Sequence, residues 1–291
     1  MGEVLLQSLI TGITIGSAYA LVGLGFAIIF NASDVVNFAQ GEFVMIGAMS
    51  AVALLASGFP FILAIIFSLL ITVAIGMILE KFAIEPAKSA TVVSTIIITI
   101  GASIFLRGAA LLIWGKDFHT LPAFSGDLPI HIGSATITPQ SLWVMAITAV
   151  LVFLVRLFFN KTVTGKAILA CSANPTAAAL IGIPVRRMML FSYGLSALLG
   201  GSAGVLIAPV AFTSYDAGMM LGLKGFAAAI LGGLGNPMGA VAGGVILGVL
   251  ESLGAGLISS GYKDAIAFVL LLLVLFLKPH GLFGRSGGSR V

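Results

Sequence analysis

Charge is what this sequence most lacks. Only 8% of its 291 residues are Asp, Glu, Lys or Arg, against roughly a quarter in a soluble globular domain. So few charges cannot clothe a water-facing surface when 59% of the chain is hydrophobic, and a soluble globular fold is excluded. A single cysteine, Cys171, rules out an internal disulfide and reads as a small buried apolar residue. The three histidines, His119, His131 and His280, are scattered without metal-ligand spacing. There is no Gly-x-Ser-x-Gly or other nucleophile setting and no polar dyad inside an apolar run. The Gly-rich stretch Gly232–Gly235 is not followed by Gly-Lys-Ser/Thr. The chain is therefore expected to be neither an enzyme nor itself an ATP binder. The alternating polarity of a membrane β-barrel is missing too.

What the sequence has is long charge-free runs: Val4–Ser33, Phe43–Leu79, Leu128–Val155, Met188–Tyr215 and Gly225–Leu250. The mean hydropathy is +1.20. A bilayer crossing needs about 20 apolar residues in a helix, so the fold class is an all-α polytopic membrane protein with about 8–10 helical segments. Two runs exceed one crossing and are cut by turn-forming triplets, Gly58-Phe59-Pro60 and Gly235-Asn236-Pro237. Nine segments result: Leu5–Phe30, Gly41–Ser57, Phe61–Glu80, Ala90–Trp114, Pro139–Phe159, Met188–Val210, Gly222–Leu234, Met238–Leu257 and Ala265–Leu277. The N-terminus carries Glu3 and no Lys or Arg ahead of a run too long for a signal h-region, so the first span is expected to be retained.

The net charge of +4 and pI near 9.4 come from basic residues set singly in short loops, which mark topology rather than a nucleic-acid surface. Placing Asn160–Arg187 in the cytoplasm puts ten of the fourteen basic residues inside, among them Lys81, Lys88, Arg156, Lys161, Lys166, Arg186, Arg187, Lys278, Arg285 and Arg290. Only Arg107, Lys116, Lys224 and Lys263 then fall outside or within the membrane. Odd parity gives a periplasmic N-terminus, a periplasmic loop Gly115–Thr138 and a cytoplasmic C-terminus. The order of elements also repeats. Residues 1–115 and 188–279 each run span, polar interruption, short helix, Gly-x-Pro turn and two further spans, and lie five spans apart. That predicts an inverted pair, a recurring transporter design in which interruptions mark the pathway. The whole forms one permease domain, with a linking span at 139–159, a cytoplasmic loop at 160–187 and a tail at 280–291.

Two stretches carry candidate functional residues. In the 160–187 loop, Asn174 suits an N-cap, Pro175 the first helical turn and Gly182 a C-terminal stop. The enclosed two-turn helix is too short to survive alone and needs a surface to lie on, either the membrane or a partner protein. In the interruption Asn31–Glu42, the residues Asp34, Asn37, Gln40 and Glu42 adjoin apolar helices. At membrane depth they would line a route or gate; in an aqueous turn they would be merely solvated. Lys224 with nearby Asp216 is the counterpart in the second half, read as an interfacial pair or a substrate contact. Arg107 sits in the fourth span, near enough to its end to snorkel. Small residues such as Gly200, Gly201, Gly204, Gly243, Gly244 and Gly248 suit close helix packing.

Three stretches resemble one known family: Gly25–Gly47 (GFAIIFNASDVVNFAQGEFVMIG), Gly165–Pro184 (GKAILACSANPTAAALIGIP) and Gly222–Gly244 (GLKGFAAAILGGLGNPMGAVAGG). They are similar to permeases of Liv-type branched-chain amino acid ABC importers, and the likeness in length and loop order runs nearly end to end. The resemblance implies a multi-pass inner-membrane subunit that passes branched-chain or other hydrophobic amino acids. It implies a homologous second permease, a periplasmic substrate-binding protein and two cytoplasmic ATPases that hold ATP and Mg, with no cofactor on this chain. It implies that the loop bearing Gly165, Asn174, Pro175, Ala177, Ala178, Leu180, Gly182 and Ile183 contacts the ATPase. Urea, short amides, aromatic acids or ribose-like sugars remain alternative substrates, and a stand-alone secondary transporter is the alternative mechanism.

Overall fold

The computed structural model describes residues 2–87, 91–126, 128–132 and 135–284. It contains eleven α-helices: α1 Gly2–Ser33, α2 Gln40–Ala56, α3 Phe61–Leu79, α4 Val92–Trp114, α5 Pro139–Lys161, α6 Val163–Ala173, α7 Pro175–Leu180, α8 Val185–Ile207, α9 Ala217–Gly232, α10 Pro237–Leu257 and α11 Lys263–Leu277. Among the described residues, seven helical stretches are long and apolar enough to cross a membrane: α1, α3 with its continuation to Ala87, α4, α5, α8, α10 and α11 with the short turn before it. The remaining two expected segments are α2 and α9, of 17 and 16 residues. At 1.5 Å per residue these reach about 24–26 Å, short of a hydrocarbon core of about 30 Å. Irregular stretches, 34–39 and 208–216, precede them.

The breaks form for the reasons expected. Gly58 has φ of +87°, a conformation open to glycine, and Pro60 then caps α3. Asn236 accepts from the Gly239 amide at 3.1 Å, with Pro237 in the first turn of α10. Helix bounds depart from the expected ones mostly by a few residues. The largest shift is α9, which starts at Ala217 rather than Gly222. Two elements were not anticipated. One is α6. The other is an antiparallel hairpin of β1 Ile130–Ile132 and β2 Ala135–Ile137 in the 115–138 loop. Lys88, Ala90, Arg285, Arg290 and the tail beyond 284 lie outside the described residues.

Contacts at the two ends of the bundle sort the loops. At one end, Gln7 near the start of α1 bonds the Thr136 backbone of the hairpin, and His119 bridges to Thr213 ahead of α9. Phe124 of the same loop meets Phe61 at the start of α3. At the opposite end, Arg186 pairs with Glu85, and the Leu282 and Phe283 amides donate to Leu231 and Gly232 at the end of α9. The chain therefore starts at one end and finishes at the other. Both short helices run between the ends instead of returning to the side they came from.

The helices fall into central and peripheral sets. α1 and α8 are buried over most of their length, whereas α4, α5 and α11 present wide apolar faces outward, as lipid-facing helices must. Packing partners exchange in couples. α1 lies on α10 as α8 lies on α3; α1 meets α9 as α8 meets α2; α2 touches α4 as α9 touches α11. That is the packing an inverted pair of four-helix units produces. Glycines make the closest approaches possible. Gly12 and Gly16 on α1 face Gly244 and Gly248 on α10, two Gly-x-x-x-Gly ridges set against each other.

Candidate pathway and coupling surface

The interruption between α1 and α2 is built into the core. Asp34 has φ of +54° and stays exposed, while Asn37, Gln40 and Glu42 are 0–1% exposed. Asn37 Oδ1 accepts from the Ala39 amide at 3.1 Å, and its Nδ2 has no hydrogen-bond partner. Gln40 Nε2 donates to the Ser196 carbonyl at 3.2 Å, and its Oε1 lies 2.6 Å from Ser196 Oγ, tying α2 to α8. Glu42 Oε1 accepts from Ser103 Oγ of α4 at 2.8 Å, and its Oε2 is left without a partner. The Phe38 amide donates to Thr99 Oγ1. Asn37, Gln40 and Glu42 are thus enclosed by helices, while Asp34 is not.

Glu42 lines a cavity of about 300 Å³ between α1, α2, α4 and α9, with Phe26, Phe38, Ser103, Arg107 and Phe226. Phe30 and Ile230, each one helical turn beyond Phe26 and Phe226 on the same faces, line a recess of about 760 Å³ beside residues 279–284. A third cavity of about 180 Å³ lies towards the hairpin end, between Val44, Ala48, Gly204 and Leu221. α9 borders all three hollows, and α2 borders the 300 Å³ and 180 Å³ ones.

Lys224 does not pair with Asp216 as expected. Asp216 accepts from Ser214 Oγ at 2.5 Å. Lys224, almost fully buried, instead bonds Glu251 at 2.8 Å and Asp264 at 2.6 Å, with Lys263 at 3.6 Å from the same Glu251 oxygen. Tyr19 donates to Glu251 and presents its ring to the Lys224 ammonium. This network joins α1, α9, α10 and α11. Sequence reading missed it because the partners are 27 and 40 residues from Lys224, beyond any local pattern.

The 160–187 loop folds as capped pieces. Thr162 Oγ1 accepts from the Gly165 amide at 2.9 Å and starts α6; the threonine N-cap was the legible signal for this helix. Asn174 Oδ1 accepts from the Ala177 amide at 2.9 Å, Pro175 opens α7, and Gly182 turns the chain with φ of +89°. Gly165 is buried where α6 presses on the Phe158 carbonyl of α5. Ala178 faces inward at 2% exposure, packed with Ile168, Cys171 and Met188, and so seats α7 on α6 and α8. Ile183 is half-buried against the same cluster. Ala177 is exposed, and Leu180 and Ile181 stand out at 84% and 76%. Burial pushes the Cys171 thiol pKa up.

A bundle of membrane-crossing helices with two short interrupted ones, hollowed along their seam and bearing polar side chains inside, defines a polytopic membrane transport subunit. Residues 8–275 match the family described as branched-chain amino acid transport system / permease component, and the chain belongs to that family. It is 32% identical to the high-affinity branched-chain amino acid transport system permease protein BraD of Pseudomonas aeruginosa, covering 98% of each chain. It is 33% identical to the corresponding LivH of Salmonella typhimurium, over 98% of this chain and 97% of that one. Among solved structures, PsaBC from Streptococcus pneumoniae in complex with Fab shares the fold, with a TM-score of 0.50 at 16% identity and coverage of 94% and 92%.

Proposed function

We propose that this chain is the membrane-embedded permease subunit of a bacterial importer, carrying branched-chain amino acids across the inner membrane. Energy comes from ATP, with Mg, hydrolysed on two cytoplasmic partner ATPases. A periplasmic binding protein delivers substrate, and a second homologous permease completes the pathway. The single observation that carries the coupling role is α7: a two-turn helix, capped at Asn174, seated by Ala178 and projecting Leu180 and Ile181. Two bare apolar side chains on so short a helix fit a groove on another protein better than water. Lys161, Lys166 and Arg187 are exposed around it, and the bias of Lys and Arg to the cytoplasmic side sets this end inside, with the hairpin end outside.

The test is reconstitution with the partner subunits in proteoliposomes, reading leucine uptake and binding-protein-stimulated ATP hydrolysis together. Leu180→Glu with Ile181→Glu is expected to abolish both while the permease still folds and inserts. Uptake at the unsubstituted rate with no ATPase associated would make the chain a stand-alone secondary transporter and end the importer reading.

A further inference from the structure

Two opposite charges line the 300 Å³ cavity and do not pair with each other. Glu42 is 1% exposed, with one carboxylate oxygen held by Ser103 and the other bonded to nothing. Arg107 directs a guanidinium nitrogen at the sulfur of Met219, 3.0 Å away, a weak acceptor for a group with five donors. The same bundle shows what a purely structural charge cluster looks like: Lys224, Glu251 and Asp264 close on each other at 2.6–2.8 Å. Ionisable groups at membrane depth are costly unless something meets them; for buried Glu42 the cavity lies where that partner would be, and half-buried Arg107 stands on its wall. Phe26 and Phe38 each pack on Phe226 with ring centroids 5.6 Å apart, forming an aromatic wall beside the two charges. Gly41, Gly218 and Gly222 also line it, so that α2 and α9 approach closely there without side chains between them.

We propose that this cavity is a transient binding site for a zwitterionic α-amino acid, with Glu42 receiving the ammonium, Arg107 the carboxylate, and Phe26, Phe38 and Phe226 the aliphatic side chain. The proposal rests on the transport reading above and adds the residues that meet the solute on its way. The volume suits it, since small-molecule sites begin near about 300 Å³. Weak occupancy also suits it, because a route must release what it binds. Each charge has a separate task, so the two ends of the solute can be tested apart.

The experiment uses the complete importer in proteoliposomes, with Cys171→Ser and Ile104→Cys introduced. Ile104 lines the cavity, so a cysteine there reports access to it by a methanethiosulfonate reagent. Saturating leucine is expected to slow its modification. Leucinamide and isocaproate each lack one charge and should need about 10- to 100-fold higher concentrations for half protection, the value of one charged hydrogen bond. Glu42→Gln should erase the advantage of leucine over isocaproate but keep that over leucinamide. Arg107→Gln should do the reverse, and Arg107→Lys should restore part of it. Equal protection by the three solutes overturns the proposal, and so does an absence of protection in vesicles that take up leucine normally. That comparison needs no substitution at Glu42 or Arg107, so a misfolded variant does not spoil it. Vesicles that hydrolyse ATP with their binding protein yet take up no leucine would refute the transport reading, and the site would fall with it.

Discussion

Replacing Gly16 by alanine tests the α1–α10 seam, the most extensive packing in the molecule. A Cβ on Gly16 would lie 2.9 Å from the Gly244 carbonyl oxygen and from Val245 Cα, both backbone atoms that cannot rotate away. Normal carbon contacts sit at about 3.5–4.0 Å, so the helices must part by roughly 0.6–1 Å, enough to forfeit a quarter to a half of each facing contact. Overpacking of this kind costs about 1–3 kcal/mol. At about 2–4 °C per kcal/mol, the purified protein should melt roughly 2–12 °C lower in a fluorescence-detected thermal scan in detergent. Gly101 in α4 is the control, because a Cβ there meets nothing within 4 Å. Gly101→Ala should raise the melting point, by the roughly 0.5–1 kcal/mol that alanine gains over glycine inside a helix. Gly248→Ala pushes directly on Gly16, so the double substitution should cost less than the sum of the singles. The packing account fails if Gly16→Ala melts at or above the parent, or if Gly101→Ala falls as far.

Other consequences are independent of this seam. Lys224→Met leaves buried Glu251 only the more distant Lys263, 3.6 Å away, and should destabilise by up to about 3–5 kcal/mol, with much of the loss recovered in Lys224→Met with Glu251→Leu; thermal scans of the two variants decide it. Asn174→Ala removes the α7 cap and should cost about 1 kcal/mol locally, seen as faster amide exchange over 175–181 with exchange in α8 unchanged. Cys171 is buried and its thiol pKa is raised, so at neutral pH it holds less thiolate than a free cysteine. Its maleimide labelling should be slow in the folded protein and accelerate on unfolding; labelling at the rate of a free thiol would place α6 elsewhere.

Some of this was legible in the linear chain and some was not, and particular residues show the boundary. Asn174, Pro175 and Gly182 act within a few residues of themselves, so their roles as cap, first turn and stop were readable. Thr162 was an equally local signal for α6 and went unread. The interruption at Asp34–Glu42 stood out because polar residues between apolar runs are conspicuous. Whether they were solvated depended on α4 and α8 supplying Ser103 and Ser196. The inward turn of Ala178 was not legible, since a stretch of three alanines has no visible face until α6 and α8 pack against it.

Taken alone, the sequence determined what the chain must do to satisfy its own backbone in lipid: that its long apolar runs form helices, where glycine and proline end them, and which end of the bundle holds most of the basic loops. Those are consequences of run length, missing amide hydrogens and permitted φ values, all local quantities. Tertiary structure decided which side chains meet. Helices that are apolar all round carry no stripe to show their inner face. Only packing could rotate Glu42 and Arg107 into one cavity, close Lys224 on Glu251 and Asp264, and leave the central charge of a mostly uncharged chain waiting for a partner.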